Sequence, residues 1–116
     1  MIRCRPVFLF CSAVIMAAAL PALAADPKAA QPRAFAAGDA ESGKTLNDKD
    51  CVGCHARRFD GNADAIYLRE DHKVRTPEQL MAQITYCNTQ LSTNYFPEEE
   101  AHVAAYLNLR YYKFKP

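Results

Sequence analysis

The sequence predicts an all-α domain, and three observations carry that prediction. No stretch alternates apolar and polar residues long enough to make a half-buried strand, and no internal repeat is present. Two segments open with a proline at the first helical position, Thr76-Pro77-Glu78 and Pro97-Glu98-Glu99-Glu100, the second with acids throughout its first turn. Beyond each start, apolar residues recur at helical spacing.

The first 24 residues stand apart from the rest. Arg3 and Arg5 form a short basic region, and Pro6 to Leu20 is apolar but shorter than the roughly 18 to 20 residues needed to cross a bilayer. Ala22-Leu23-Ala24 then supplies a small-x-small cleavage signal. This predicts a secretory signal peptide cut after Ala24 and a periplasmic or equivalent location. An uncleaved membrane anchor is the alternative, and no later segment is apolar enough to span. Residues 25–37, rich in Ala and Pro, read as a flexible leader, and residues 38–116 as one domain.

Within the domain, Asp39 is placed to cap a first helix that runs into Cys51. The text from Ala56 to Val74 has the Asp60-Gly61 turn signal and charges without period, which predicts a loop with at most a short helical turn. The helix opened by Thr76 extends to about Gln90. Leu80, Ile84, Cys87 and Leu91 fall within about 60° of one another on it at 100° per residue, so Cys87 faces the core. Asn94 to Phe96 is a short connection, and the last helix presents Val103, Leu107, Arg110 or Tyr111, and Phe114.

Cleavage after Ala24 removes Arg3 and Arg5 and leaves 12 basic residues against 13 acidic, a formal charge of −1. That balance argues against a nucleic-acid partner. The terminal run RYYKFK reads as a helix packing its aromatics on the domain rather than as a nucleic-acid or membrane patch. The same cut removes Cys4 and Cys11 and leaves Cys51, Cys54 and Cys87, an odd number in an exported chain. A domain of this size has a small core, and a bound cofactor would add apolar surface.

The most informative stretch is CVGCH, Cys51 to His55. C-x-x-C-H is the pattern of covalent haem attachment, in which two thiols add to the haem vinyl groups and the adjacent histidine ligates iron. A thioredoxin-like redox pair uses the same C-x-x-C but belongs to a strand-to-helix context that this chain lacks. A Cys₃His zinc site would need Cys51, Cys54 and Cys87 with His72 or His102, and lacks a second close-spaced pair.

The helix before CVGCH, the TPEQLMAQI helix and the closing VAAYLN helix together resemble the small class I cytochrome c family over essentially all of residues 38–116. The resemblance implies three to four helices around one covalently attached haem, crossing N- and C-terminal helices, and single-electron transfer. Cys51 and Cys54 would hold the haem and His55 would be its proximal ligand. Members of the family place a methionine ligand between the last two helices, and LSTNYFP contains none. The stretch Tyr86-Cys87-Asn88 is similar to a divergent branch that includes cytochrome c″ and an oxygen-binding relative. There the residue before the cysteine ligates iron, and the cysteine is bridged to another eight residues on. Here those positions are Tyr86 and Tyr95, so the bridge is not available.

Several sixth ligands are therefore in play. Cys87 as thiolate leads, set against a plain buried thiol packing as a hydrophobe. Met81 lies about 100° from Leu80 at the edge of the apolar stripe, and Tyr86 about 240° away on the outward face. Asn88 and the histidines are further options, although His72 reads as a solvated loop residue and His102 as half-exposed. Lys73, Arg75 and Arg69 are candidates to balance haem propionates or simply to face solvent.

The expectation is an exported monohaem electron carrier with redox partner proteins, and not an enzyme. If the sixth position is labile, the iron would bind NO, CO or O₂. The chain would then be a gas-binding module, or the haem subunit of an oxidoreductase for a small sulfur or nitrogen compound.

Overall fold

A computed structural model describes residues 31–116. The export signal expected over residues 1–24, with Cys4 and Cys11, and the start of the expected leader, residues 25–30, lie outside the described residues. What is described is all-α and contains no strand. Five helices follow in order: α1 (Ala40–Asp50), α2 (Val52–Arg58), α3 (Ala65–Leu68), α4 (Pro77–Leu91) and α5 (Pro97–Leu107). A 3₁₀ turn at Arg33–Phe35 precedes them and a π-helical turn at Asn108–Tyr112 follows.

The starts are capped as their residue types dictate. Asp39 Oδ1 accepts the Ser42 N–H at 2.7 Å, and Thr76 Oγ1 accepts the Gln79 N–H at 3.2 Å, each satisfying a donor that the first turn leaves open. At α5 the Phe96 N–H donates to Glu99 Oε2 at 2.9 Å, the returning half of a capping box. α4 closes with Ser92 in the left-handed region (φ 53°), its N–H bonded back into the last turn.

The scaffold is the crossing of α1 with α5, the most extensive contact between elements. Two glycines make it close: a Cβ built on Gly43 would lie 1.8 Å from the His102 carbonyl oxygen, and one on Gly38 2.2 Å from that of Ala101. Neither site has room for a methyl group. The Asp39 N–H donates to His102 Nδ1 at 2.9 Å across the same crossing.

Around it packs a core of Phe35, Tyr67, Val74, Leu80, Ile84, Val103, Ala104, Ala105 and Leu107. Phe35, only 1% exposed, belongs to the segment expected to be a spacing leader. Gln31 is anchored as well, donating through Nε2 to the Ala105 carbonyl at 3.3 Å and accepting from Asn108 Nδ2 at 3.1 Å. The packed unit thus begins by residue 31.

At the other end the helical spacing changes. The Lys113 N–H bonds to the Asn108 carbonyl, an i→i+5 closure, and this re-phases the stripe so that Arg110 faces out while Tyr111 turns inward. Tyr111 stacks on Tyr67 with centroids 4.6 Å apart, and Tyr112 stacks on Phe114. The aromatic tail packs on the domain.

Candidate functional site

The CVGCH motif sits where α1 gives way to α2. Cys51 is the joint between the two helices, and its carbonyl accepts the His55 N–H at 3.2 Å. Because α2 stays helical through the motif, Cys51, Cys54 and His55 stand at i, i+3 and i+4 and share one helical face. The sequence reading ended helical order near Cys51, whereas α2 continues to Arg58 and α3 adds a further turn.

That face opens on a cavity of about 490 Å³, within the usual range for a cofactor site. Cys51, Cys54 and His55 line one side, and α4 lines another with Leu80, Ile84 and Cys87. Val74, Val103 and Leu107 extend the apolar wall. Arg58, Arg69, His72 and Lys73 also border the cavity, and none of its lining residues is Asp or Glu. Two polar atoms beside it, Arg69 Nε and His72 Nδ1, are buried without a hydrogen-bond partner. His72 is thus a cavity residue and not a freely solvated one, and its ring stands edge-on to Tyr112 at 5.7 Å. No periodic pattern in the charged loop Arg69-Glu70-Asp71-His72 announces this placement.

The three cysteines among the described residues, Cys51, Cys54 and Cys87, are free thiols, all half-buried. Burial above all, and then the neighbouring Cys87, Asp50 and Cys54, push the Cys51 thiol up to about 11. Cys87 accepts a hydrogen bond from Gln83 Nε2 at 3.4 Å, one turn earlier on α4. His55 is pushed below its ordinary range by burial and then by the Arg58 charge, which favours neutral imidazole. Its Nδ1 lies 3.1 Å from the Tyr67 hydroxyl, a residue absent from the sequence-based set.

The other proposed ligands are placed differently. Met81 packs against the core and does not border the cavity. Tyr86 borders it but is 60% exposed, in keeping with the outward face computed for it, because α4 stays regular there. Asn88 is occupied: Oδ1 accepts the Tyr95 N–H and Nδ2 donates to the Tyr95 carbonyl, both at 3.0 Å. Nδ2 also donates to the buried Glu100 at 2.7 Å, and Oδ1 accepts from Thr93. His102 is engaged at the α1–α5 crossing and lies outside the cavity.

The loop between α4 and α5 closes over the site through Tyr95, whose hydroxyl donates to Asp50 Oδ2 at 2.5 Å, next to Cys51. The backbone of Tyr95 is clamped by the Asn88 amide. Among the described residues no three His, Cys, Asp or Glu side chains converge closely enough to hold a bare metal ion. No helix among them is long and apolar enough to cross a membrane. Comparisons with protein-family models, with curated proteins and with solved structures return no match for this chain.

Proposed function

We propose that this chain is an exported c-type cytochrome of the class I kind, holding one covalent haem and passing single electrons between redox partner proteins in the periplasm. The observation that carries the reading is the presentation of Cys51, Cys54 and His55 on one helical face, toward an apolar cavity rimmed by cations and free of carboxylates. An apolar disc bearing carboxylates fits such a lining; a dication does not.

Two rival uses of the motif fit less well. A redox-active C-x-x-C depends on a thiol whose ionisation is made easier, and Cys51 is shifted the opposite way. A structural zinc ion needs its ligands gathered at one point, and no such group occurs among the described residues. Haem brings its own ring of nitrogens and asks the protein only for axial donors.

Bound haem supplies an iron centre that changes oxidation state by one electron. The chain's residues would do the rest. Cys51 and Cys54 would hold the ring through thioether bonds. His55 would donate from Nε2, and Leu80, Ile84, Val74 and Val103 would keep water from the macrocycle. Arg58, Arg69, His72 and Lys73 would balance its carboxylates, giving Arg69 Nε and His72 Nδ1 the hydrogen-bond partners they lack within the chain. On the α4 side Cys87 is the sulfur that borders the cavity, and it would be the second protein donor to the iron, with the Gln83 N–H on its Sγ. A thiolate there stabilises ferric iron and lowers the reduction potential.

The test is expression in a host with cytochrome c maturation machinery. The product is expected to be red, with pigment that survives acid-acetone extraction and is lost from Cys51→Ala/Cys54→Ala; a colourless, folded product refutes the reading. Electron paramagnetic resonance of the ferric protein should give a low-spin thiolate signal that Cys87→Ala abolishes. An unchanged signal in that variant removes Cys87 from the iron. A spectral shift when CO is added to the reduced protein would favour the gas-binding alternative.

A further inference from the structure

The Tyr67 hydroxyl joins a half-buried imidazole and a buried amide from two other helices. It lies 3.1 Å from His55 Nδ1 on α2 and 3.3 Å from Asn47 Oδ1 on α1. Tyr67 is 9% exposed and Asn47 2%, so both are largely screened from bulk solvent. A phenol has one proton to give, and an amide oxygen can only accept. With that proton directed to Asn47, the Tyr67 oxygen offers its lone pair to the imidazole, and Nδ1 must be the donor. The ring proton then sits on Nδ1 and the lone pair on Nε2.

The tyrosine is itself held. Its ring meets that of His55 edge-on at 5.5 Å (79°), stacks on Tyr111 at 4.6 Å from the other side, and touches Tyr112 at 6.2 Å. We infer that Tyr67 is a positioning residue for His55: through the Asn47–Tyr67–His55 relay it selects the tautomer whose free nitrogen is Nε2, and it fixes the plane in which that nitrogen is presented. The tautomer is a property of the chain alone; its use on iron rests on the haem reading. Hydrogen-bond acceptors at the remote nitrogen of a ligating imidazole strengthen it as a donor, so the relay should also favour the ferric state.

The haem-loaded protein tests this by nitrogen-edited NMR and by redox titration. In the wild type the ring nitrogens of His55 should show the proton on Nδ1, exchanging slowly with solvent. Tyr67→Phe keeps the ring and removes the oxygen; it should speed that exchange at least about tenfold and shift the midpoint potential upward. Tyr111→Phe, which keeps the ring and removes the hydroxyl that donates to Asp64, should leave both unchanged. Unchanged exchange and potential in Tyr67→Phe overturn the proposal. So does a wild-type His55 with its proton on Nε2, which decides the matter even if the variant does not fold. A colourless wild type refutes the proposed function and not this inference, which the His55 ring-nitrogen shifts of that folded protein, taken at mildly alkaline pH, then decide.

Discussion

Near its start α1 meets α5 backbone against backbone at Gly43, whereas at its end it runs through Cys51 into a helix that faces an open cavity. The first region is completed by the chain's own atoms: small residues, a capped helix start and a hydrogen bond from Asp39 to His102. The second keeps two buried polar atoms without hydrogen-bond partners and gathers four basic side chains on a lining that holds no carboxylate, although Asp71 Oδ1 lies 3.6 Å from Arg69 Nε. An all-protein interior rarely tolerates such features, because an unsatisfied buried polar group costs about 1 to 3 kcal/mol. The contrast separates a scaffold from a surface shaped for something else, and it can be probed from both sides.

The largest effect should come from the scaffold. Gly43→Ala drives a methyl group into the His102 carbonyl and should lower stability by about 3 kcal/mol, read as a fall in the urea midpoint. A loss below about 1 kcal/mol would mean the crossing is looser than its geometry. Glu100→Ala comes next. This buried carboxylate accepts from Thr85 Oγ1 at 2.6 Å and Asn88 Nδ2 at 2.7 Å, and its removal should cost about 2 kcal/mol by the same measurement.

The motif region should show itself in pH dependence. The His55 pKa is lowered by folding, so the unfolded chain binds more protons near and below about 6.5, and stability should fall as pH drops through that range. Cys51 is shifted upward, so the folded chain keeps its proton between about 9 and 11 while the unfolded chain loses it; stability should fall as pH rises through that window. The raised Tyr67, Tyr95 and Tyr111 add a loss of the same sign at higher pH. Thermal melts of pigmented protein should lack the Cys51 part, since a thioether sulfur does not titrate. The smallest effect is the control: Gly53→Ala meets nothing nearer than Arg57 Nη1 at 3.7 Å and should change stability by less than about 1 kcal/mol, in the stabilising direction.

What was legible in the sequence was local. The Asp39 and Thr76 caps, the Pro97 start and the inward stripe of Leu80 and Ile84 follow from residue types within a few positions of one another, and each holds. The far end of that stripe was overstated as core, since Leu91 is 45% exposed and borders the cavity. What was missed depends on long-range partners. Phe35 is buried only because α4 and α5 cover it, and nothing in an Ala- and Pro-rich segment signals that. Tyr67 lies in a helix too short for a period, and its role comes from Asn47 and His55, 20 and 12 residues away. Asn88 reads as a ligand option in one dimension and as a four-way hydrogen-bond hub in three. The site followed the same rule. Cys51, Cys54 and His55 were named by their spacing, while the cavity's cationic border required the fold.

The Asn88 amide pins Tyr95 by both of its main-chain groups and so fastens the α4–α5 loop without a covalent bond. A fastening of that kind is indifferent to ambient thiols and oxidants. It would loosen with heat or urea instead, and the redox climate outside has no bond here to make or break.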